Sequence, residues 1–568
     1  MASETVAILD STESKDEKRH QQQAKKVSSN QHLSTGDSIN DALLQVGDIR
    51  KYQICMLLGT VACCMLASMQ TLALVFTQAA IDYRCADAGF ENFSGKYLVE
   101  NMTDQCVLGN TTTECLNFKY SSSVYESTIV SEFDLVCSNV IWSTVANTMF
   151  MLTRIPGGFI VGQILDRFGR KRTIVVGLLS LGATGMGTAY AVNVAMYIVF
   201  RCLAAVAIMA VYDGCCTFLI EVTTPRQRPV ILIGLVFSWG SGICLLSLFG
   251  YFIRDWRLLH MAITIPSFAF FIMAFFLFDE SPHWLYSQGK AKEAQTILKK
   301  IAFWNGCSHN LTVNLTIRDN CELTPDIDGH EKLGQASNEE VGDSETNECM
   351  QILKNKRFLI VLGICAFGWL ACNMGYSGLS MGLGSLSGDI YIINLIGGAT
   401  ELVSYCIAFL VIPGGRKVIY IGLLAAGGVG LVTAAIVQEF SPSLVWLVIT
   451  TTMVGRLSVA AGWQIMYLWC IELFPTTTRA TMLELSQWSG HIGSAAAPFI
   501  NDMTKVIKNP NISGAIIAPA VYGALLILSS FLSAFLPETN NKPLPVDMKE
   551  ATANIGSPRQ EGASTTYL

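Results

Sequence analysis

Charge is what this sequence has least of. Only 14% of its 568 residues are Asp, Glu, Lys or Arg, whereas 51% are hydrophobic. A soluble domain carries about 25% charged residues, so the deficit excludes a chain that lives mostly in water. The net charge of −6 excludes the basic surface that nucleic-acid binding needs. Also lacking are a serine nucleophile elbow, a His pair at metal-ligand spacing and a glycine-rich phosphate loop. The sequence thus offers no site for enzymatic chemistry, a metal or a cofactor. No secretory signal precedes the first apolar run, and residues 1–50, rich in Ser, Gln, Asp and Lys, read as a disordered cytoplasmic tail.

What the chain does have is long apolar runs. A helix crosses a ~30 Å hydrocarbon core with ~20 apolar residues. On that scale twelve spans appear, near 53–77, 140–163, 174–192, 195–220, 230–252, 258–278, 358–380, 388–412, 417–437, 443–470, 480–500 and 513–536. They fall into two groups, 51–278 and 358–536, with a polar linker at 279–357 and a tail at 537–568. This is an all-α membrane protein with the lipid bilayer as its solvent. An even count puts both termini on one side. Lys and Arg favour short cytoplasmic loops. They crowd the turns after the second span (Arg167 to Arg172), the fourth (Arg226, Arg228) and the eighth (Arg416, Lys417), and the segment after the sixth. Both termini are therefore expected in the cytoplasm. The other face carries the loop 80–139 with Cys85, Cys106, Cys115 and Cys137 and glycosylation sequons at Asn92, Asn101 and Asn110. Such a loop suits the oxidising, glycosylated exterior of a plasma membrane. Four cysteines allow three pairings, and spacing does not choose among them. Sequons at Asn310 and Asn314 fall on the cytoplasmic side and are expected to be unused.

The charged turns repeat. Gly169-Arg-Lys-Arg follows the second span and Gly415-Arg-Lys the eighth; Glu221 and Arg228 close the fourth span seven apart, as Glu472 and Arg479 close the tenth. Two copies of a six-helix unit around a central linker are the mark of an alternating-access carrier with its site at the midplane. Its halves must rock while something holds one side shut. Asp166, Glu221 and Glu472 are the expected acids of such a cytoplasmic gate, and Arg167, Arg170, Arg228, Arg416 and Arg479 its cations, because partly screened ion pairs can break and re-form as helices shift.

The stretch Gly162 to Lys171, of the form G-x-x-x-D-R-x-G-R-K, resembles the signature of the major facilitator superfamily. "DESPHWLYSQGKAKEAQTILKKIA" (279–302), "RDWRLLHMAITIPSF" (254–268), "YSGLSMGLGSLSGDIYI" (376–392) and "IELFPTTTRA" (471–480) resemble solute carrier family 22, the organic cation, organic anion and carnitine transporters. The resemblance covers about residues 40–540. It implies a twelve-helix carrier, in two six-helix pseudo-repeats, of small organic ions. Twelve residues after the Arg of the last motif, family members usually carry Asp when they take cations and Arg when they take anions or carnitine. Here His491 stands there, and that indicator is absent. Gln464 and Glu401 match residues common in the cation branch. The second charged turn lacks its Asp-Arg.

Ionisable residues inside a membrane are costly and mark function by default. Arg154, Asp213, Glu401, Glu484 and His491 are of this kind. Arg154 and Asp213 either bridge packed helices or hold the two ends of a zwitterion. Glu484 and His491, seven apart, share a helix face, and an inward His491 would couple transport to protons. Among the aromatics, Tyr212, Tyr376, Trp463 and Trp488 are expected to face an ammonium, which ring faces attract. The function read here is an alternating-access transporter leaning to organic cations or zwitterions. An organic anion transporter, a sugar-porter-like carrier and a non-transporting receptor on the same fold are the alternatives. The C-terminal Thr566-Tyr-Leu568 has the form that PDZ scaffolds capture by strand addition.

Overall fold

The computed structural model describes residues 35–79, 81–85, 117–307, 355–411, 415–506 and 516–540, with short gaps at 48, 123, 225–226, 387, 442 and 476–478, together with Cys106 and Cys115. Asn92, Asn101, Asn110, Asn310, Asn314, Thr566 and Leu568 lie outside the described residues.

The longer helices run in chain order: α1 Thr35–Val46, α2 Lys51–Leu72, α3 Ile141–Phe168, α4 Arg170–Ala189, α5 Val194–Glu221, α6 Arg228–Phe252, α7 Trp256–Leu277, α8 Pro282–Ser287, α9 Ala291–Asn305, α10 Lys356–Met381, α11 Ile390–Val411, α12 Arg416–Phe440, α13 Val445–Leu473, α14 Arg479–Val506 and α15 Ile517–Ser533. Twelve of them, α2–α7 and α10–α15, answer to the twelve expected spans. Nine are long and apolar enough to cross a membrane on their own composition, among the described residues. The other three are α4, α14 and α15. The first opens on Arg170, Lys171 and Arg172, the second carries Glu484, His491 and Asp502, and the third has only 17 residues. Tertiary packing supplies what their composition lacks.

The same pairings recur in each half. In the first, α4 packs on α5 and α7, α3 on α5, and α2 on α6; in the second, α12 packs on α13 and α15, α11 on α13, and α10 on α14. Across the halves, α6 meets α11 and α14 meets α3, which are equivalent pairs under the same two-fold relation. The fold is therefore two six-helix repeats of an all-α membrane protein, the major facilitator architecture.

Local sequence sets the helix ends. Asn193 starts α5 by accepting from Met196 N at 2.8 Å, and Asp255 starts α7 by accepting from Leu258 N at 2.9 Å, the usual work of N-cap side chains. Gly169 and Gly415 link α3 to α4 and open α12 with φ of +97° and +108°, a region L side chains rarely adopt.

One expectation changes. The tail read as disordered over 1–50 carries helix α1, whose Ile39, Ala42, Leu43 and Val46 are buried. Their i, i+3, i+4, i+7 spacing makes one apolar face, which the polar average of the tail conceals. It packs on α9. The linker carries α9, which stops at Gly306 (φ +72°) and buries Leu298, Ile301 and Ala302 in the core of the first half. The loop disulfides are Cys85–Cys115 and Cys106–Cys137. They brace a two-stranded ribbon, β1 Tyr83–Cys85 against β2 Phe118–Tyr120.

Contacts between halves gather at the end bearing this loop. Thr144 of α3 bonds Asp502 of α14, and Thr148 donates to Ala495 O at 3.2 Å. Asn394 of α11 donates to Ser247 of α6 at 2.8 Å. Tyr391 stacks on Phe76 at 5.5 Å. The two halves are closed on each other at the loop end.

Candidate functional site

Both halves line a central cavity of about 1150 Å³, counting its open mouth. Helix α3 supplies Arg154, α5 Tyr212 and Asp213, and α6 Trp239; α10 supplies Tyr376, α11 Glu401, α13 Trp463 and Gln464, and α14 His491. Trp488, expected in the site, does not line it and is 46% exposed. Glu484 is likewise outside the lining, although it lies within electrostatic reach of Asp213.

Arg154 and Asp213 face each other within electrostatic reach, yet no salt bridge joins them among the described residues. The Arg154 Nε is buried and has no hydrogen-bond partner. The first half thus presents one cation and one anion to the cavity without a close mutual bond.

The second half does the opposite. Glu401, 3% exposed, accepts from Tyr405 OH at 3.0 Å, and its Oε2 lies 3.7 Å from the Arg456 guanidinium, itself 1% exposed. Arg456 sits 5.7 Å from the Tyr376 ring. Sequence reading missed Arg456 and Tyr405. The signal for Arg456 was available, a lone charge within an apolar span.

The rings form a connected wall. Trp239 stands edge-on to Tyr212 at 5.6 Å, Trp369 edge-on to Trp463 at 5.4 Å, and Trp463 stacks on Tyr467 at 5.9 Å. The wall is apolar in bulk, with a few polar groups fixing orientation.

At the end opposite the loop, the charged turns make two matching networks. Arg170 Nε bonds Glu221 at 3.0 Å, and its Nη1 donates to Leu165 O at 2.8 Å. Arg416 Nη2 bonds Glu472 at 2.7 Å, and its Nη1 donates to Asn540 at 2.8 Å. Each network includes an acid that sequence reading missed. Glu280 Oε1 accepts from the backbone N–H of Arg170 at 2.7 Å and of Lys171 at 3.0 Å. Glu538 accepts from the N–H of Arg416 at 3.0 Å and of Lys417 at 3.1 Å. A carboxylate there satisfies orphan amides and meets the positive end of the helix dipole. The parallel "ESP" and "ETN" after the last helix of each half was the available signal.

Of the cations and acids expected at a gate, Arg170 pairs with Asp166 and Glu221, and Arg416 with Glu472. These ion pairs stay within a half and join none of its helices to the other half. Asp166 is largely exposed and touches Arg170 at 3.3 Å, while Arg167 is exposed beside Phe168. Arg228 donates to Ile220 O at 3.1 Å. Arg479 opens α14, and its side chain lies outside the described residues.

The family model described as "Sugar (and other) transporter" matches residues 104–546. The organic cation/carnitine transporter 2 of Rattus norvegicus is 30% identical over 438 residues, 76% of this chain and 73% of that one. The organic cation transporter 1 of Caenorhabditis elegans is 29% identical over 441 residues, 77% and 71% of the two chains. Solute carrier family 22 member 6 of Mus musculus is 27% identical over 534 residues, 89% and 93%. The xylose transporter XylE from E. coli, in an inward open conformation, shares the fold at a TM-score of 0.58 and 15% identity, over 89% of this chain and 99% of that one. This chain is thus a membrane transporter, not an enzyme, and it belongs to the sugar (and other) transporter family of the major facilitator superfamily, within solute carrier family 22.

Proposed function

We propose that this carrier moves small organic cations, or zwitterions with an ammonium group, by alternating access through the central cavity. One observation carries the reading. Asp213 is a carboxylate without a salt bridge among the described residues, in an aromatic cavity with Arg154 beside it. An ammonium gains from the Asp213 charge and from the faces of Tyr212, Trp239, Tyr376 and Trp463. A carboxylate on the same molecule would reach Arg154. Glu401 is already engaged by Tyr405 and Arg456, so it shapes the cavity more than it attracts charge. Gln464 and His491 supply neutral polar contacts. Relatives named for organic cations and carnitine agree with this substrate class.

In this reading the protein sits in the plasma membrane with the loop 80–139 outside and both termini in the cytoplasm. The turn networks of Arg170 and Arg416 then face the cytoplasm and keep each half rigid while the halves rock. The tail ending in Thr566 and Leu568 serves as a PDZ ligand; a 545–568 peptide should bind a PDZ panel, and adding one C-terminal Ala should abolish it. The experiment for the transport reading is uptake of labelled cations, zwitterions and anions in transfected cells, with and without a membrane potential. Uptake of cations that rises with an inside-negative potential supports it. Uptake confined to anions or sugars, or none at all with the protein at the surface, overturns it.

A further inference from the structure

A second cavity lies at the loop end, apart from the central one. Ile81 and Asp82 line it from the segment after α2, Tyr125 from the irregular segment between β2 and α3, and Asp389, Ile390 and Tyr391 from the start of α11. Its walls therefore come from both halves. Two of the groups are carboxylates, and neither makes a salt bridge among the described residues. Asp389 uses Oδ1 to accept from Tyr391 N at 2.8 Å and Ile392 N at 3.3 Å, which caps α11. Its Oδ2 has no hydrogen bond among the described residues. Tyr125 is only 7% exposed, and its hydroxyl has no partner among the described residues. It lies within electrostatic reach of Asp389. Tyr391 is held by Phe76, by Tyr251 edge-on at 5.7 Å, and by its own hydroxyl donating to Val124 O at 3.3 Å. Arg254 acts on Tyr391 electrostatically but does not line the cavity.

A buried hydroxyl needs a partner, and none of the described residues supplies one. Two carboxylates repel an anion. Aromatic and aliphatic walls do nothing for a hydrated metal ion, but they suit an alkylammonium, whose charge meets the carboxylates and whose carbon body meets the rings. We propose that this cavity is a binding site for a small primary organic ammonium, separate from the central cavity. Its N–H groups donate to Asp82, to Asp389 Oδ2 and to the Tyr125 hydroxyl. Because both halves contribute, a bound ion favours the state in which the loop end is closed, since a ligand stabilises the conformation that binds it better. The site concerns binding alone and stands whether or not the central cavity takes the same ion.

The test is equilibrium binding of labelled phenethylammonium to the full-length protein in detergent, with size-exclusion profiles as a folding control. Two saturable classes are expected. Asp82→Asn should weaken one by about tenfold or more, as loss of a charged hydrogen bond does. Tyr125→Phe should weaken the same class about two- to tenfold, and should leave binding of tetraethylammonium, which has no N–H to donate, unchanged. Asp213→Asn should act on the other class only. Should Asp82→Asn fail to fold, the Tyr125→Phe comparison decides alone. A single class that Asp213→Asn abolishes, or classes indifferent to both Asp82→Asn and Tyr125→Phe, would overturn the proposal and leave the hydroxyl to a water molecule.

Discussion

Trp239 on α6 donates its indole N–H to the Tyr376 hydroxyl on α10 at 2.8 Å, so a hydrogen bond joins the two halves in the wall of the cavity itself. A ligand that inserts against either ring competes with a contact that holds the halves together. Binding and rearrangement are thereby coupled through one bond. Trp239→Phe and Tyr376→Phe each remove the bond and keep a ring. Its net worth is about 0.5–1.5 kcal/mol, hence roughly a two- to tenfold change in the balance of conformers. The two single variants and the double variant should shift that balance equally, because they lose the same bond. Labelling of a cysteine introduced at the loop end measures it. Additive shifts would show that the rings act separately.

Asp213→Asn should raise the KM for a labelled organic cation about tenfold or more, at unchanged surface level, if the carboxylate meets substrate. A charged hydrogen bond lost from a dry site has that size. The alternative is that Asp213 serves to hold Arg154. Then Asp213→Asn lowers the amount of folded protein, and adding Arg154→Gln restores it, since an uncompensated buried charge is removed. Surface biotinylation of the single and double variants separates the two.

Glu280 and Glu538 occupy equivalent places, each capping the helix that follows a charged turn. Glu280→Gln and Glu538→Gln should each lower stability by about 0.5–2 kcal/mol, the range for lost caps and helix-end charges. Gly169→Ala should cost more. It places a Cβ 2.6 Å from Glu280 Oε2 at a φ of +97°, which combines a clash with a disfavoured backbone. Thermal unfolding midpoints in detergent should rank Gly169→Ala below both Glu variants. Equal midpoints for all would show that the caps contribute nothing.

How far the sequence reveals this protein depends on which residues carry the signal. Hydrophobic length marks nine of the spans outright among the described residues, and the polar linker marks the division into halves, because a bilayer imposes one length on every crossing. Charge within a span pointed to Arg154, Asp213 and Glu401, since such residues are expensive to bury. The same rule applied evenly would have found Arg456, whose partner Glu401 is distant in sequence. The caps Glu280 and Glu538 were hidden for a different reason. Each serves a helix begun more than 100 residues earlier in the chain, a relation that shows in sequence only as the parallel "ESP" and "ETN" that follow the two halves. Trp488 was misplaced because an aromatic on an exposed helix face and one on a cavity face look alike in sequence. The cysteine pairing in the loop likewise needed three-dimensional proximity.

His283, in α8, has its ordinary value near 6.5 pushed down to about 4, first by burial and then by Arg228 and Arg170. Above pH 6.5 the imidazole is neutral in the folded and unfolded chains alike. Between 6.5 and about 4 the unfolded chain binds a proton that the folded chain refuses, so stability falls as pH falls through that window. The thermal midpoint should drop between pH 7 and pH 5. His283→Gln should reduce that drop, and an identical drop in the variant would assign it to other groups.

Glu401 and Arg456 pose the last test, because the pair is almost wholly buried while its geometry is loose, with 3.7 Å between the charged groups. All three Arg456 side-chain nitrogens lack a hydrogen bond among the described residues. A buried pair of this kind rarely stabilises much compared with apolar residues of the same volume, yet removing one partner strands the other charge. Glu401→Gln alone should therefore cost roughly 3–5 kcal/mol, and Arg456→Met alone a similar amount. The double variant should recover most of the loss. Fluorescence-detected size exclusion after a heat step reads all three. If the double variant folds but no longer transports, the pair is kept for its work on Tyr376 and the cavity and not for stability. If it both folds and transports like the parent, then charge at these two positions serves neither. If the single losses simply add, Glu401 and Arg456 are not coupled and the ion pair is not the unit that holds α11 to α13.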